Sequence, residues 1–273
     1  MTKFWRAVAV LATALVVLGI APADAAPAWT AATWTAPTWA SPVVTAHRGG
    51  SYERPENTLD AFQNAVAVGA DTVEFDVRST ADHRLVVLHD RTLDRTTNCT
   101  GTVFQRTLAQ VRACKTDGNG KPVPTLIEAL DYFAPLSVDI SPEIKGYGID
   151  MDNNEVANLM AAVKRRQMTA RTFVQSFNPN VFALVNRVEP ALATVYLAHS
   201  VIRVTALRQY GADIASVNMK ALSRSNVDSY HAQQRQIWTW TANTVPELQR
   251  AWTLGADSVG TDIPTQALSL YGR

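Results

Sequence analysis

Charge of one sign is what this sequence most clearly lacks. Its 25 Lys and Arg stand against 24 Asp and Glu, a formal net charge of +1. No basic excess exists to favour nucleic acid or an anionic membrane surface. Cysteine is nearly absent too, with only Cys99 and Cys114. No histidine lies near either at ligand spacing, which argues against a zinc site. There is a single long apolar run, Ala7 to Ala21, closed off by Pro22 and Asp24. At about 15 residues it falls short of the ~20 needed to cross a bilayer.

The run has another reading. Lys3 and Arg6 precede it, and Ala23-Asp24-Ala25 follows with small residues at cleavage positions, so residues 1–26 read as an export signal. Its removal takes Lys3, Arg6 and Asp24, leaving 23 basic and 23 acidic residues. The mature protein is then expected to be secreted, with no stable membrane insertion. In that setting two cysteines 15 positions apart are expected to pair, closing a loop worth ~3 kcal/mol; two unpaired buried thiols are the alternative. Residues 27–42 are rich in Ala, Thr and Pro, with Trp29, Trp34 and Trp39 at intervals of five. That interval matches neither helix nor strand, so an extended linker is expected, with a substrate- or wall-touching arm as the alternative.

From Val43 to the end, short β-branched runs alternate with helical patterns, which points to an α/β domain over 43–273. Strands are expected at 43–46, 72–77, 85–88, 137–145, 172–176, 193–197, 213–218, 236–241 and 257–261. Helices are expected at 58–68, 126–133, 154–167, 179–188, 201–210, 223–234, 245–254 and 264–271. Only seven residues separate Val77 from Leu85, whereas a parallel crossover needs a dozen or more. Leu85–Leu88 must therefore return as a hairpin arm, turning near Ala81-Asp82-His83. Eight strands remain, the arithmetic of one (β/α)8 TIM barrel. Residues 91–123 hold both cysteines and a Gly118-Asn119-Gly120 turn, and they read as a short disulfide-tied insertion after strand 2 and its hairpin.

A barrel of this kind gathers its chemistry at the carboxyl ends of its strands. His47 and Arg48 follow the first strand. Glu74 and Asp76 lie two apart near the end of the second, so strand alternation aims both inward. Glu143 and Lys145 repeat that spacing on the third. Three carboxylates from two neighbouring strands suit a hard divalent cation with oxygen ligands, Mg²⁺ or Ca²⁺. Without a cation they would repel one another, and Lys145 offsets only part of the charge. His47 and His89 adjoin charged neighbours at strand ends and are the candidates for proton transfer. His83, His199 and His231 read as structural, with His231 solvated at a helix end. Pro142 directly precedes Glu143, and because proline cannot donate to a ladder, a bulge is expected there.

The ordered set His47-Arg48-Gly49, Pro55-Glu56-Asn57-Thr58, Glu74-Phe75-Asp76-Val77, Leu85-Val86-Val87-Leu88-His89-Asp90 and Arg95-Thr96-Thr97 resembles the glycerophosphodiester phosphodiesterases. Weaker elements follow at Glu143-Ile144-Lys145, Gln175-Ser176-Phe177, Trp240-Thr241-Ala242-Asn243 and Gly260-Thr261-Asp262-Ile263-Pro264. The likeness runs from about residue 43 to 268. It implies a phosphodiesterase that releases glycerol 3-phosphate and an alcohol, with His47 and His89 as the acid/base pair. Glu74, Asp76 and Glu143 would hold the metal, and Glu56 would either join them or orient Arg48. Arg48 and Lys145 would meet the phosphate, and Trp240 would pack against the glycerol or the leaving group.

Two other readings compete. A phospholipase D-like lipid hydrolase of the sphingomyelinase D type shares the barrel and the histidine pair, but it carries a cysteine-rich loop close behind the second histidine. Here Asp90-Arg91-Thr92-Leu93 follows His89, and no cysteine comes before Cys99. A non-catalytic module binding glycerophosphoryl wall polymers has the tryptophan-bearing linker as its only support. The expected partner is a small glycerophosphodiester, with a cell-wall teichoic polymer as the larger alternative.

Overall fold

The computed structural model describes residues 41–273. The expected export signal and all but the last two residues of the linker lie outside them. Eighteen strands and α-helices follow in order: β1 (Val43–Ala46), α1 (Leu59–Val68), β2 (Thr72–Ser79), β3 (Leu85–Val87), α2 (Leu108–Ala113), α3 (Leu126–Phe133), β4 (Asp139–Ile144), α4 (Asn153–Arg165), β5 (Phe173–Ser176), α5 (Asn180–Val188), β6 (Ala193–Ala198), α6 (Val204–Gln209), β7 (Ile214–Asn218), α7 (Arg224–His231), β8 (Ile237–Trp240), α8 (Val245–Leu254), β9 (Ser258–Thr261) and α9 (Pro264–Leu270).

Sheet order is β1-β9-β8-β7-β6-β5-β4-β2-β3, and β1 also pairs with β2. That extra pairing closes eight parallel strands into a barrel and leaves β3 outside as an antiparallel arm on β2, with Val77 opposite Val87. The hairpin turns through His83, at φ 57°. The (β/α)8 reading therefore holds, strand for strand.

Alternation on β2 divides the labour between its two faces. Phe75 points outward, its ring centre 5.5 Å from Phe62 and 5.9 Å from Phe133, in a fully buried trio. Glu74 and Asp76 point into the barrel. Lower in the barrel, Phe173, Val195, Ile214 and Trp238 pack as a floor. Above them Thr45, Ser216, Ser258 and Gly260 are too small to fill the space, and a hollow opens toward the strand ends. At the opposite end, Asp71, Asp213 and Asp257 accept the backbone N–H groups of Val44, Thr194 and Ile237. His231 is not simply solvated, because its Nε2 lies 3.0 Å from Asp257. The packing of α7 against that end supplies the partner.

The expected bulge at Pro142 is absent. β4 pairs with β2 without a break from Thr72↔Asp139 to Val77↔Ile144, including Phe75↔Pro142. The proline falls where the β4–β5 ladder is thin, between the Ile140↔Thr172 bridge and the Glu143↔Gln175 pair. Ser141 Oγ donates instead to the Phe173 carbonyl at 2.9 Å. Glu143 thus keeps the inward aim that regular alternation dictates.

Residues 91–123 carry a small core of their own, Leu93, Val103, Val111, Cys114 and Val123 against Val86 and Leu88. The Cys99–Cys114 disulfide is present, and α2 lies within this segment with a Thr107/Gln110 capping box. Among the described residues, no helix is long and apolar enough to cross a membrane.

Truncating Phe133 empties the space behind β2. Phe133→Ala is expected to cost about 3–5 kcal/mol, measured as a lower midpoint in urea unfolding. A midpoint equal to the parent's would contradict this packing.

Candidate active site

His47 and Arg48 leave β1 in a tight turn. Arg48 itself sits at φ 52°, a left-handed conformation uncommon for a side-chain-bearing residue. The turn brings its backbone N–H to Glu74 Oε2 at 2.7 Å. Gly49 follows at φ 82°, where a Cβ would lie 2.7 Å from that of Ala61. Only glycine fits that approach of turn to helix. Asn57, also left-handed at φ 58°, grips Asp76 twice: its Nδ2 donates to Oδ2 at 2.8 Å, and its Oδ1 accepts the Asp76 N–H at 3.1 Å.

Glu74, Asp76 and Glu143 converge. One oxygen from each lies within 4.8 Å of the others, and all three are buried. Lys145 Nζ reaches Glu143 at 2.6 Å and Asp76 Oδ1 at 3.2 Å. Arg48 Nε lies 3.4 Å from Asp76 Oδ2. Gln175 Nε2 donates to Glu74 Oε1 at 3.2 Å. Asp76 Oδ1 is buried without a hydrogen bond of good geometry, and such a group is costly unless something else faces it.

The electrostatics reflect this crowding. Burial, reinforced by the charge of Asp76, pushes Glu74 up to about 7. Burial, only partly opposed by Lys145, pushes Glu143 up to about 8. Asp76 moves the other way, because Lys145, Arg48, His89 and the Asn57 hydrogen bond together outweigh its burial. A site that holds one carboxylate ionised and leaves two reluctant has room for more positive charge. The donor set is all oxygen, which fits a hard divalent cation.

The two imidazoles flank this group. His47 Nδ1 lies 2.7 Å from Asp262 Oδ1, and its Nε2 lies 4.0 Å from Glu74. Asp262 is itself held by Ser51 Oγ at 2.6 Å and by Asn243. Burial disfavours the His47 imidazolium, but the Asp262 hydrogen bond and the charges of Glu74 and Asp262 raise its pKa overall. His89 Nδ1 lies 2.6 Å from Asp90 Oδ1. Its pKa falls, chiefly through burial, with Lys145 and Arg48 adding to the effect against the pull of Asp76.

Both histidines, Arg48, Glu74, Glu143 and Lys145 line one cavity of about 280 Å³. Its far wall is aromatic. Trp240 donates from Nε1 to the Ser216 carbonyl at 3.0 Å, so its ring faces the hollow. Phe177 meets it edge-on at 5.4 Å, and His199 stacks on Phe177 at 5.0 Å. Glu56 lies apart from the carboxylate trio, with its oxygens committed to Arg48 and Arg95. Every residue given a catalytic, phosphate-facing or metal-holding part from the sequence is therefore at this rim or beside it. His199, read as structural, joins the wall. Asp262, Asn243 and Gln175 stood in recognised motifs, but only barrel closure shows what they touch. A second possible ligand group, His83, Asp152 and Glu155, lies at the start of α4. There Glu155 already serves the Asp152 capping box.

Comparison with known proteins agrees with the geometry. Residues 47–266 match the family described as Glycerophosphoryl diester phosphodiesterase family. A glycerophosphodiester phosphodiesterase from Caldanaerobacter subterraneus subsp. tengcongensis is 30% identical over 249 residues, spanning 85% of this chain and 98% of its own. One from Bacillus altitudinis is 29% identical over 243 residues, spanning 83% and 97%. Among solved structures, an Oleispira antarctica phosphodiesterase in complex with the product sn-glycerol-3-phosphate superposes with a TM-score of 0.78 over 85% of this chain and 98% of its own. At 22% identity that likeness speaks for the fold.

The buried carboxylates make stability depend on pH. Glu74 and Glu143 rise from 4.5 to about 7 and about 8, so between about pH 5 and 8 the folded protein holds protons that the unfolded chain has released. Their contribution is present at the acid end and lost as pH rises. The melting temperature of chelator-treated protein is expected to fall across that range, and to fall less steeply in Glu143→Gln. A parent and variant with parallel pH profiles would contradict the assignment.

Proposed function

The chain belongs to the glycerophosphoryl diester phosphodiesterase family, and from that premise we propose a secreted, metal-dependent enzyme that hydrolyses small glycerophosphodiesters to glycerol 3-phosphate and an alcohol. One observation carries the reading: three buried carboxylates, two imidazoles, an arginine and a lysine surround one cavity at the carboxyl ends of the strands. The Cys99–Cys114 disulfide is in keeping with an oxidising compartment, as is the leader-like segment at 1–26.

Glu74, Asp76 and Glu143 would hold one divalent cation, Mg²⁺ or Ca²⁺. The chemistry such an ion supplies is polarisation of the phosphoryl oxygens, lowering the charge barrier to attack. The chain's own groups do the rest. Arg48 and Lys145 draw the diester's negative oxygens toward the trio. Asp262 and Asp90 each accept from the Nδ1–H of a histidine, which leaves Nε2 of His47 and of His89 as the free nitrogens. One takes a proton from the attacking hydroxyl while the other protonates the departing alkoxide. Attack by water gives glycerol 3-phosphate directly; attack by the neighbouring glycerol hydroxyl gives a cyclic phosphate, which a water deprotonated in the same way then opens to the monoester. Trp240, Phe177 and His199 offer apolar faces to the carbon skeleton and keep bulk water from that side.

Removing either imidazole should cost about 10²–10⁴ in kcat, measured as glycerol 3-phosphate released from glycerophosphocholine by His47→Ala and His89→Ala. Chelation should abolish turnover, and adding back Mg²⁺ or Ca²⁺ should restore it. Retention of activity within a few-fold by either variant, or full activity in excess EDTA, would sink this mechanism. Turnover of sphingomyelin in preference to the glycerophosphodiester would instead favour the lipid-hydrolase reading.

A further inference from the structure

Arg95 lies outside the cavity, in the insertion, yet it touches both of the carboxylates that steady the rim. Its Nε donates to Asp90 Oδ2 at 2.6 Å and its Nη2 to Asp90 Oδ1 at 3.2 Å. On the other edge, Nη1 and Nη2 donate to the two oxygens of Glu56, each at 2.7 Å. Asp90 Oδ1 is the partner of His89 Nδ1 at 2.6 Å, and Glu56 Oε1 accepts from Arg48 Nη1 at 3.1 Å. A single planar guanidinium thus connects a proton-handling imidazole on one side with a phosphate-facing guanidinium on the other.

We propose that Arg95 is a positioning residue for the reaction, locking His89 through Asp90 and Arg48 through Glu56. The inference rests on the roles given to His89 and Arg48 above and adds the group that holds them in register. Isolated surface ion pairs contribute little, but this one is a double fork, and a planar five-donor group fixes two carboxylate planes at once. Without it Asp90 and Glu56 are two like charges with nothing between them. Each then keeps only its bond to His89 or to Arg48 and loses the fork that fixes its plane, so the acceptor it offers to His89 Nδ1 or Arg48 Nη1 is less firmly placed.

The fold around Arg95 is built to hold it still. Thr97 returns both its N–H and its hydroxyl to the Leu93 carbonyl, at 3.1 and 2.7 Å. Leu93 is fully buried in the insertion's own core, and Thr97 bridges to Thr116 on the far side of the disulfide loop. Asp90 is brought down to about 2, first by the Arg95 hydrogen bond, so it is a constant acceptor for the imidazole. On this view the insertion is more than a brace on the hairpin.

The test compares Arg95→Gln, Arg95→Lys, Asp90→Asn and the Arg95→Gln/Asp90→Asn double variant with the parent. Glycerol 3-phosphate release from glycerophosphocholine is followed with Mg²⁺ or Ca²⁺ present, alongside thermal melts. Arg95→Gln is expected to lower kcat about 10- to 100-fold at a melting temperature near the parent's. Arg95→Lys should recover little, since one ammonium cannot fork to two carboxylates. The double variant should be no worse than the poorer single one, because one residue acts through the other. Nitrogen-15 spectra of His89 give a readout that needs no turnover: the Nδ1–H tautomer dominates in the parent and loses population in Arg95→Gln and Arg95→Lys. Should Arg95→Gln not fold, Arg95→Lys carries the same two readouts. Variant kcat within two-fold of the parent, full recovery by Arg95→Lys, or an unchanged His89 tautomer overturns the proposal. If the parent itself releases no glycerol 3-phosphate, the functional reading fails, and the tautomer spectra still decide whether Arg95 holds His89.

Discussion

Three buried carboxylates on two neighbouring strands, at the foot of one cavity, set the terms for everything else at this rim. Burying one unpaired carboxylate is costly, and burying three within a few ångströms compounds the cost. Arg48 and Lys145 meet part of the charge, and Asn57, Gln175 and the Arg48 N–H hold the oxygens in place. What remains is relieved either by protons, which is why Glu74 and Glu143 are pushed up, or by a cation. The same surplus of negative charge keeps the two cationic side chains pointed inward and helps hold His47 above its ordinary range.

The barrel makes this arrangement attainable. A strand delivers alternate residues to opposite faces, so β2 anchors itself outward through Phe75 while presenting Glu74 and Asp76 inward. The regular β2–β4 register places Asp76 beside Glu143. The hairpin arm carries His89 back to the same rim, and closure of β1 on β9 brings Asp262 to His47. Rigidity comes from the wall of helices, and the hollow comes from small residues on β1, β7 and β9.

Much of this was legible in the residues alone. Strand spacing separated the hairpin from the barrel, because seven residues cannot make a crossover. The i, i+2 carboxylates announced an inward-facing pair, and the motif order announced the family. Three features were not legible, each for a physical reason. Pro142 suggested a bulge, but regular pairing with β2 and a side-chain hydrogen bond from Ser141 accommodate it. His199 looked structural because it is a lone histidine with no charged neighbour beside it; its wall partners Phe177 and Trp240 come from other parts of the barrel. The bond between His47 and Asp262 spans 215 positions, a contact that only closure of the barrel creates.

Whether these carboxylates act together is best settled by locating a cation directly. Crystals soaked in Mn²⁺, a stand-in for Mg²⁺ or Ca²⁺ with a usable anomalous signal, should show one strong peak bounded by Glu74, Asp76 and Glu143, and the peak should vanish in Glu143→Gln. A peak elsewhere, or none within reach of all three side chains, would contradict the account.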